Sequence, residues 1–468
     1  MAEVKYAHQN IGFEAIDLAN GLFRVTNRFY FTNLKKYMIS YEVKENDKGW
    51  CVVARISLDV APQEKKELAV NVSGLKAKVG TEYFVNFSVT TLESEPLVPK
   101  GYEIAHEQFR LPIDPASRSF SVQGPALQCS ENGNLLSVQS SRVAFVFDKS
   151  TGLVTSYKVK GTEYFHEGFG IQPNFWRAPN DNDYGSQMPK RLQIWKQSSK
   201  NFNVVDASLA MDGKDAVLKV SYLLAAGNLY IATYRIHPSG VVKANYTFTS
   251  TEMEAAKTEA SEATLMATFT PGNEAIRKES SKLVVPRIGV RFRLPAEMEQ
   301  VTYFGRGPEE NYCDRNNGTL VGEYQATAEQ MYFPYVRPQE NGHHTDTRWL
   351  MLKKKSGKGL AVYADGTLEF NSLRNSIEDF DGEEATHRDY QWGNRDAEEL
   401  KHDVSTAKNI KPRHTHINDI TPRDFVEVCL DMRQMGVGGF DSWGAVPDPQ
   451  YLIPANKEYQ WGFTIVPM

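Results

Sequence analysis

The sequence is poor in cysteine and lacks any long apolar run. Its four cysteines, at positions 51, 129, 313 and 429 of 468, are far apart and form no CxxC pair. This spacing argues against a disulfide framework and against a zinc site. No stretch of about 18 apolar residues exists, so no transmembrane helix is predicted. The first residues, MAEVKYAHQN, contain no apolar segment. We therefore predict no signal peptide and favour a cytoplasmic location.

The chain also lacks an excess of positive charge. Its 53 Lys and Arg are outnumbered by 58 Asp and Glu, which gives a net charge of -5. Without a basic field, neither nucleic acid nor an anionic membrane is predicted as a partner. Aromatic residues are plentiful at 11%, with 22 Tyr and 24 Phe. Such a composition favours β-structure and leaves aromatic faces available to a ligand.

The first part of the chain has the alternating pattern of short antiparallel strands. Apolar and polar residues alternate over residues 22–31 and 37–43, and a polar turn leads to a further strand at 51–60. About seven such strands within roughly 110 residues are typical of an immunoglobulin-like β-sandwich. We predict this fold for residues 1–113, followed by a Pro-containing linker.

The remainder, residues 118–468, keeps the β pattern on a larger scale. Residues 142–147 and 153–159, for example, flank the turn DKSTG. No alternation of strands with helices is present, which argues against a TIM barrel or a Rossmann domain. We predict an all-β protein in which this second part is one large antiparallel β-supersandwich.

A glycine-rich turn near the C-terminus leads to a tryptophan. Residues 435–443 read MGVGGFDSW, so Trp443 follows three glycines closely. Glycine adopts backbone angles that other residues avoid, and such a turn can present the flat face of an indole. One interpretation is a hairpin before a core tryptophan, since Trp is usually well buried. The other is an exposed platform for a sugar ring.

Three further segments combine aromatic, charged and rigid residues. They are WRAPNDNDYG at 176–185, GRGPEENYCDR at 305–315 and YFPYVRPQENG at 332–342. The first is either a turn held by its own Asn and Asp side chains or a sugar-facing loop with Gly185 as its hinge. Asp181 and Asp183 either bind a cation or are solvated.

The other two segments contain three glutamates that are close in sequence to Arg and Pro residues. Glu309, Glu310 and Glu340 are either an acid/base pair or salt-bridged packing between domains. The residues alone leave both interpretations open.

Together the four motifs are specific. RAPNDND, GRGPEENYCDR, PYVRPQENG and MGVGGFDSW, in this order and spacing, resemble the C-terminal half of glycoside hydrolase family 2 β-galactosidases of the large five-domain type. LDVAP at 58–62 and GYEIAHEQF at 101–109 are similar to the fourth domain of that family. Only residues 251–281 are longer than the family pattern.

The resemblance implies which domains of the family this chain contains and which domain carries the catalytic residues. Residues 1–113 would be the immunoglobulin-like fourth domain, and residues 118–468 the fifth, a supersandwich of the galactose mutarotase type called the small chain. The catalytic glutamates of the family, with its Mg and Na, lie on a TIM barrel that precedes both domains. No catalytic residue, metal ligand or cofactor is therefore expected in this chain.

The resemblance also assigns positions. Trp443 would contact the sugar beside the galactose. The entrance loop of the active site would comprise Asn180, Asp181, Asn182, Asp183 and Gly185. Structural residues of the domain junction would be Arg177, Glu309, Asn311, Tyr312, Arg315, Glu340 and Asn341.

The function implied is that of the C-terminal portion of a β-galactosidase, which hydrolyses terminal non-reducing β-D-galactose with retention. Its partners would be a β-galactoside, the TIM barrel in cis or as a separate subunit, and further copies in a homo-oligomer. The chain alone would be inactive. The alternatives are a mutarotase-like epimerase that uses His343 or His344 with Glu340, a carbohydrate-binding module, and a purely structural fragment.

Overall fold

The computed structural model describes residues 1–46, 48–186, 188–250, 284–381, 416–439 and 445–468, with the backbone alone at 48–53 and 250. The chain divides into two compact units. The smaller contains residues 1–120, 304–308 and 315–324, and the larger contains residues 121–303, 309–314 and 325–468. The predicted insertion at 251–281 and Trp443 lie outside the described residues. Within the described part of the chain, no helix has the length and apolar character needed to cross a membrane.

The smaller unit is a sandwich of two antiparallel sheets. Its strands are β1 (Ile11–Asp17), β2 (Leu22–Asn27), β3 (Tyr37–Glu45), β4 (Lys48–Ile56), β5 (Lys65–Ala69), β6 (Tyr83–Thr91) and β7 (Glu103–Arg110). One sheet has the order β1-β2-β5 and the other β4-β3-β6-β7.

Alternation along the strands builds the core of this sandwich. Every second residue of β2 and β3 is buried, because neighbouring side chains on a strand point to opposite faces. Phe87 lies at the centre, with its ring 4.5 Å from that of Phe13 and 5.0 Å from that of Phe23. Each such buried ring contributes roughly 1.5–3 kcal/mol by leaving water. The predicted immunoglobulin-like sandwich is confirmed.

The larger unit contains the remaining strands, of which β19 and β20 also supply residues to the smaller unit. They are β8 (Gln128–Asn132), β9 (Leu135–Gln139), β10 (Val143–Asp148), β11 (Leu153–Val159), β12 (Thr162–Glu163), β13 (Gln172–Asn174), β14 (Asn203–Asp212), β15 (Asp215–Leu223), β16 (Asn228–Ile236), β17 (Val242–Ser250), β18 (Arg287–Pro295), β19 (Gln300–Gly307), β20 (Leu320–Thr327), β21 (His344–Lys353), β22 (Gly359–Leu373), β23 (Phe425–Gln434) and β24 (Tyr459–Pro467).

Helices are short throughout the described residues. The α-helices are α1 (Ala2–Ala7), α2 (Asp181–Gly185), α3 (Met188–Arg191), α4 (Gln193–Ser198) and α5 (Ile377–Phe380). Turns of 3-10 helix occur at Leu34–Lys36, His166–Gly168, Ala296–Met298, Ile417–Asp419 and Pro449–Tyr451.

Two sheets face each other in the larger unit. A five-stranded sheet has the order β12-β11-β10-β9-β8. The long sheet follows β13-β18-β23-β22-β24-β17-β16-β15-β14, while β21 pairs with β22 and with β19, which pairs with β20. Phe145 of β10 packs 5.8 Å from Tyr234 of β16, and the Tyr222 hydroxyl donates to the carbonyl of Gly152 at 3.0 Å. The predicted all-β supersandwich is confirmed.

The middle strands of the long sheet are buried on both faces. Nearly all residues of β18 and β23, and the last six of β22, are buried. These strands nevertheless contain Arg287, Glu369 and Asp431. Because an isolated charge is costly in such surroundings, these groups must find partners inside the unit.

Candidate functional site

Two of the other three sequence motifs contact the glycine segment, defined here as residues 435–439. The guanidinium of Arg177 is fully buried and lies between Asp183 and this segment. Its Nη2 donates to both carboxylate oxygens of Asp183, at 2.9 and 3.0 Å. Nη1 donates to the carbonyl of Met435 at 2.8 Å, and Nη2 also donates to the carbonyl of Gly436 at 3.1 Å. One side chain therefore ties the first motif to the last.

Asp314 of the second motif holds the glycine segment through its backbone amides. Its two carboxylate oxygens accept the N–H groups of Val437 at 3.0 Å and Gly438 at 2.8 Å. A Cβ at Gly436 would lie 2.5 Å from Asp314 Oδ2, so a larger residue there would displace the carboxylate that holds the segment. Gly438 has φ +64, a value that favours glycine. The path of the chain up to residue 439 is thus fixed by carboxylate and guanidinium contacts.

The second half of the first motif, predicted to be a structured loop, is a short helix. The side chain of Asn180 accepts the N–H of Asp183 at 2.8 Å, and the Asp183 carboxylate accepts the N–H of Asn180 at 3.0 Å. This reciprocal capping starts α2 at Asp181 and explains the difference from the predicted loop. Gly185 is the last residue of that helix, and its predicted role as a hinge stays a prediction.

Asp181 and Asp183 have different surroundings. Asp183 is buried, and this burial raises the pKa of its carboxyl although Arg177 opposes the shift. Asp181 is exposed and forms an ion pair with Arg337 of the third motif at 3.1 Å. The two carboxylates therefore serve separate partners, and they are neither a cation site nor both solvated. The guanidinium of Arg337 also lies 3.9 Å from the ring centroid of Tyr184.

Side-chain hydrogen bonds join the second motif to the third motif and to the residues that follow it. Glu310 accepts the N–H of Gly342 at 2.8 Å and also the hydroxyl of Tyr335. Asn311 accepts the N–H of Thr345 at 2.9 Å and its hydroxyl at 2.6 Å. Glu310 thus holds neighbouring loops in place, which favours the structural interpretation over an acid/base role.

The other predicted junction residues are placed as follows. Tyr312 is buried and its ring stacks 5.4 Å from that of His343. Asn341 accepts the N–H of Phe333 at 3.2 Å. Glu309 is exposed, and Arg315 is half-buried in the smaller unit. Their place at a domain junction stays a prediction.

A buried polar network lies beside this cluster, centred on Arg287. Its Nη2 donates to Glu340 at 2.8 Å and to Asn371 at 2.9 Å, and it also contacts Gln434. Its Nε lies 3.2 Å from a carboxylate oxygen of Asp431. One cation thus serves two carboxylates, Glu340 and Asp431, away from water.

The network also concerns the histidines considered for the epimerase alternative. His343 is fully buried, with Nε2 2.9 Å from Glu369 and Nδ1 2.8 Å from Asn371. Burial is the largest single effect and would lower the pKa of His343, but the hydrogen bond to Glu369 together with the charges of Glu369 and Asp431 raises it overall. His344 contacts the carbonyl of Gly342 at 3.0 Å. The pairing of His343 with Glu340 was wrong, because His343 is bound to Glu369 and Asn371 while Glu340 is bound to Arg287. The pairing of His344 with Glu340 stays a prediction.

The cavity at this network is too small for a sugar. Arg287, Glu340 and Asn371 line a space of about 20 Å³. A single water needs roughly 10–15 Å³. Both nitrogens of His343 are already occupied. The arrangement therefore stabilises the interior of the sheet and offers no site for ring opening of a sugar.

Asp431 makes the network sensitive to pH. Burial raises the pKa of Asp431 from 3.8 to about 7, against the opposing effects of Arg287 and His343, while Glu369 and Glu340 add to the rise. The folded state therefore keeps a proton that the unfolded chain releases above about pH 4. The resulting stabilisation is complete below pH 3.8 and is lost as the pH rises through about 7.

We expect Asp431→Asn to flatten the fall in stability between pH 5.5 and 8. The difference in slope should approach ~1.4 kcal/mol per pH unit at most. Thermal melts in a pH series measure it. Asp114→Asn, at an exposed carboxylate of the smaller unit, is the control and should leave the slope unchanged. Parallel slopes for Asp431→Asn and the parent chain would contradict the expectation.

The sequence analysis did not single out Arg287, Asp314, Glu369 or Asp431. Three of these four residues lie in strands whose neighbours are apolar, as in the segment LEFNSL around Glu369. A charged residue inside such a run is the signal that could have found them, because it must be paired once buried. Among the described residues, no group of three or more His, Cys, Asp or Glu is arranged to hold a metal ion.

Comparison with known proteins agrees with both units. The family model described as β-galactosidase small chain matches residues 139–465, and that of β-galactosidase domain 4 matches residues 23–112. These matches assign the chain to a class of glycoside hydrolases. More particularly, the chain belongs to the β-galactosidase family and corresponds to the C-terminal part of a large β-galactosidase.

Individual curated relatives are β-galactosidases by name. The β-galactosidase of Priestia megaterium (strain DSM 319 / IMG 1521) is 30% identical over 472 residues, covering 100% of this chain and 40% of that protein. The β-galactosidase of Streptococcus thermophilus is 25% identical, covering 99% of this chain and 39% of that protein. The chain thus spans about 40% of the length of these curated relatives.

Solved structures give only a distant likeness. A galactose mutarotase related enzyme from Lactobacillus acidophilus matches with a TM-score of 0.35 and 9% identity, over 71% of this chain and 97% of that chain. A galactose 1-epimerase from Lactobacillus acidophilus NCFM matches with a TM-score of 0.33 and 7% identity, over 74% and 99%. Values this low carry no argument about activity.

Proposed function

We propose that this chain is the accessory part of a retaining β-galactosidase that acts on terminal non-reducing β-D-galactose, and that it supplies a substrate platform at Trp443. The observation that carries the proposal is the double restraint on the glycine segment. Arg177 holds its carbonyls and Asp314 its amides, only a few residues before Trp443. A segment held from both sides is pre-organised, and pre-organisation favours binding.

The carboxylates of this chain do not support a retaining active site within it. Two carboxyl groups about 5 Å apart are needed, one as nucleophile and one as acid/base. Asp183 and Asp314 beside the glycine segment, and Glu340 in the Arg287 network, are bound to a guanidinium or to backbone amides. We therefore propose that the catalytic glutamates, Mg and Na belong to a TIM barrel outside this chain, and that this chain alone is inactive.

The test compares the chain alone with the chain mixed with the barrel portion of a family member. Turnover of a chromogenic β-galactoside should be absent for the chain and should appear for the mixture. Trp443→Ala should then raise KM about fivefold, since loss of one stacking contact costs on the order of 1 kcal/mol. Tyr30→Ala, at an aromatic residue of the smaller unit with 75% exposure, is the matched control. Turnover by the chain alone would overturn the proposal.

The two other functional hypotheses give different results in the same samples. An epimerase would interconvert galactose anomers, which polarimetry of the chain alone detects. A carbohydrate-binding module would bind lactose without the barrel. The occupied nitrogens of His343 speak against the first. We further propose a cytoplasmic location. We also propose that the complex is a homo-oligomer, and its sedimentation would measure the number of copies.

A further inference from the structure

A polar cleft lies in the larger unit, apart from the loop cluster described above. It has a volume of about 450 Å³ and is formed where β19, β20 and β21 begin or end. Ligand pockets usually measure roughly 300–1,000 Å³, so a ligand as large as a disaccharide fits. None of its lining residues belongs to the glycine segment or to the Arg287 network.

Three consecutive lysines give this cleft its charge. Strand β21 ends at Lys353, and the following turn carries Lys354 and Lys355 along the same cleft. The turn is closed by hydrogen bonds from Lys354 N to the carbonyl of Lys358, at 2.8 Å, and from Gly357 N to the carbonyl of Lys354, at 2.9 Å. A hydrogen-bonded turn therefore follows the strand at this edge of the cleft, and all three lysines line it.

This charge is not balanced within the cleft. No carboxylate lines it, and Lys354 alone of the three lysines pairs with a described carboxylate, that of Glu297 at 2.6 Å. Lys353 and Lys355 have no carboxylate within ion-pair distance among the described residues. The whole chain has a net charge of -5, so the basic cleft is a local feature.

The rest of the lining is suited to hydrogen bonding. Gln300, Gln325 and Gln330 contribute amides, and Thr302, which is 9% exposed, contributes a hydroxyl. The side-chain oxygen of Gln330 accepts the N–H of Thr327 at 2.9 Å, which leaves its NH₂ group to donate elsewhere. No aromatic residue lines the cleft, so stacking does not contribute. A ligand would be held by hydrogen bonds and by charge.

We infer that this cleft binds an acidic saccharide, that is, a mono- or disaccharide with a carboxylate or a sulfate ester. The ammonium groups match the anionic substituent, and the amides and the hydroxyl match the hydroxyl groups of the sugar. Lysine is a point charge without the planar fork of arginine, so carboxylate and sulfate both suit it. The volume of the cleft is several times that of an inorganic anion. So small a ligand would leave most of the amides in the cleft without a hydrogen-bond partner.

Calorimetric titration of the full chain tests this inference. The probes are a galacturonic acid disaccharide, a sulfated galactose disaccharide, lactose and inorganic sulfate. One or both acidic disaccharides should bind at least tenfold more tightly than lactose and than inorganic sulfate. Raising NaCl from about 50 to about 300 mM should weaken this binding severalfold, because exposed charges are screened. The tighter of the two acidic sugars identifies the anionic group.

Matched variants show whether the lysines are responsible. Lys353→Gln with Lys355→Gln should weaken binding of the preferred acidic sugar at least tenfold. Lys35→Gln with Lys66→Gln removes the same charge from exposed positions of the smaller unit and should leave the affinity unchanged. Equal losses in both pairs, lactose binding as tightly as the acidic sugars, sulfate alone matching them, or no binding of any probe would each overturn the inference. None of these results depends on the proposed galactosidase role.

Discussion

Replacing Arg287 by methionine is expected to destabilise the larger unit by about 3–5 kcal/mol, because removing one partner of a buried ion pair leaves an uncompensated charge. Arg287 serves Glu340, Asp431, Asn371 and Gln434 at once. Methionine has a similar length and no charge, so the loss measures the missing cation and not a large cavity. The measurement is the urea midpoint of the transition that exposes the buried Trp195.

The stability of the Arg287→Met variant should depend on pH. Asp431 already has a pKa of about 7 beside Arg287, and removal of the cation moves that value higher still. The protonated carboxyl is neutral, so Arg287→Met should recover part of its stability between pH 8 and pH 5.5. Arg287→Lys keeps the charge but not the fork of donors, and should lie between the parent and the methionine variant. A loss below about 1 kcal/mol with no dependence on pH would refute this account.

The sequence predicted the architecture because burial follows strand periodicity. Phe23 and Val25 of β2, and Ile39, Tyr41 and Val43 of β3, occupy alternate positions and all face the core of the smaller unit. In the larger unit, the absence of strand and helix alternation correctly excluded a barrel of parallel strands. Both inferences use local spacing, which a single sequence contains.

The sequence did not predict contacts between distant residues. Arg177 and Met435 are 258 positions apart, and Arg287 and Gln434 are 147 apart. No local pattern encodes such pairs. The wrong assignment of His343 to Glu340 came from sequence proximity, whereas the partner Glu369 is supplied by the neighbouring strand β22. The helix at Asp181 was missed because its cap is a local Asn and Asp signal that also fits a turn.

The second large effect concerns Arg177, whose loss should cost the larger unit about 3–5 kcal/mol by leaving Asp183 buried and unpaired. The double variant Arg177→Met with Asp183→Leu removes both charges, so it should be more stable than Arg177→Met alone. Asp183→Leu alone leaves the cation unpaired and should also be strongly destabilised. Urea midpoints of the three variants give the coupling between the two side chains. Equal stabilities of the single and double variants would mean that the pair is not coupled.

The double variant should affect the stability of the larger unit and the restraint on the glycine segment differently. The double variant regains stability, but it still lacks the two donors to the carbonyls of Met435 and Gly436. Amide exchange of residues 436–438 should therefore stay faster than in the parent chain, by about tenfold for each 1.4 kcal/mol of lost restraint. Asp314→Asn, which weakens the other side of the segment, should raise exchange of the Val437 and Gly438 amides without an unpaired buried cation. If the double variant restored slow exchange as well as stability, Arg177 would act only as the partner of Asp183, and the restraint on the approach to Trp443 would rest on Asp314 alone.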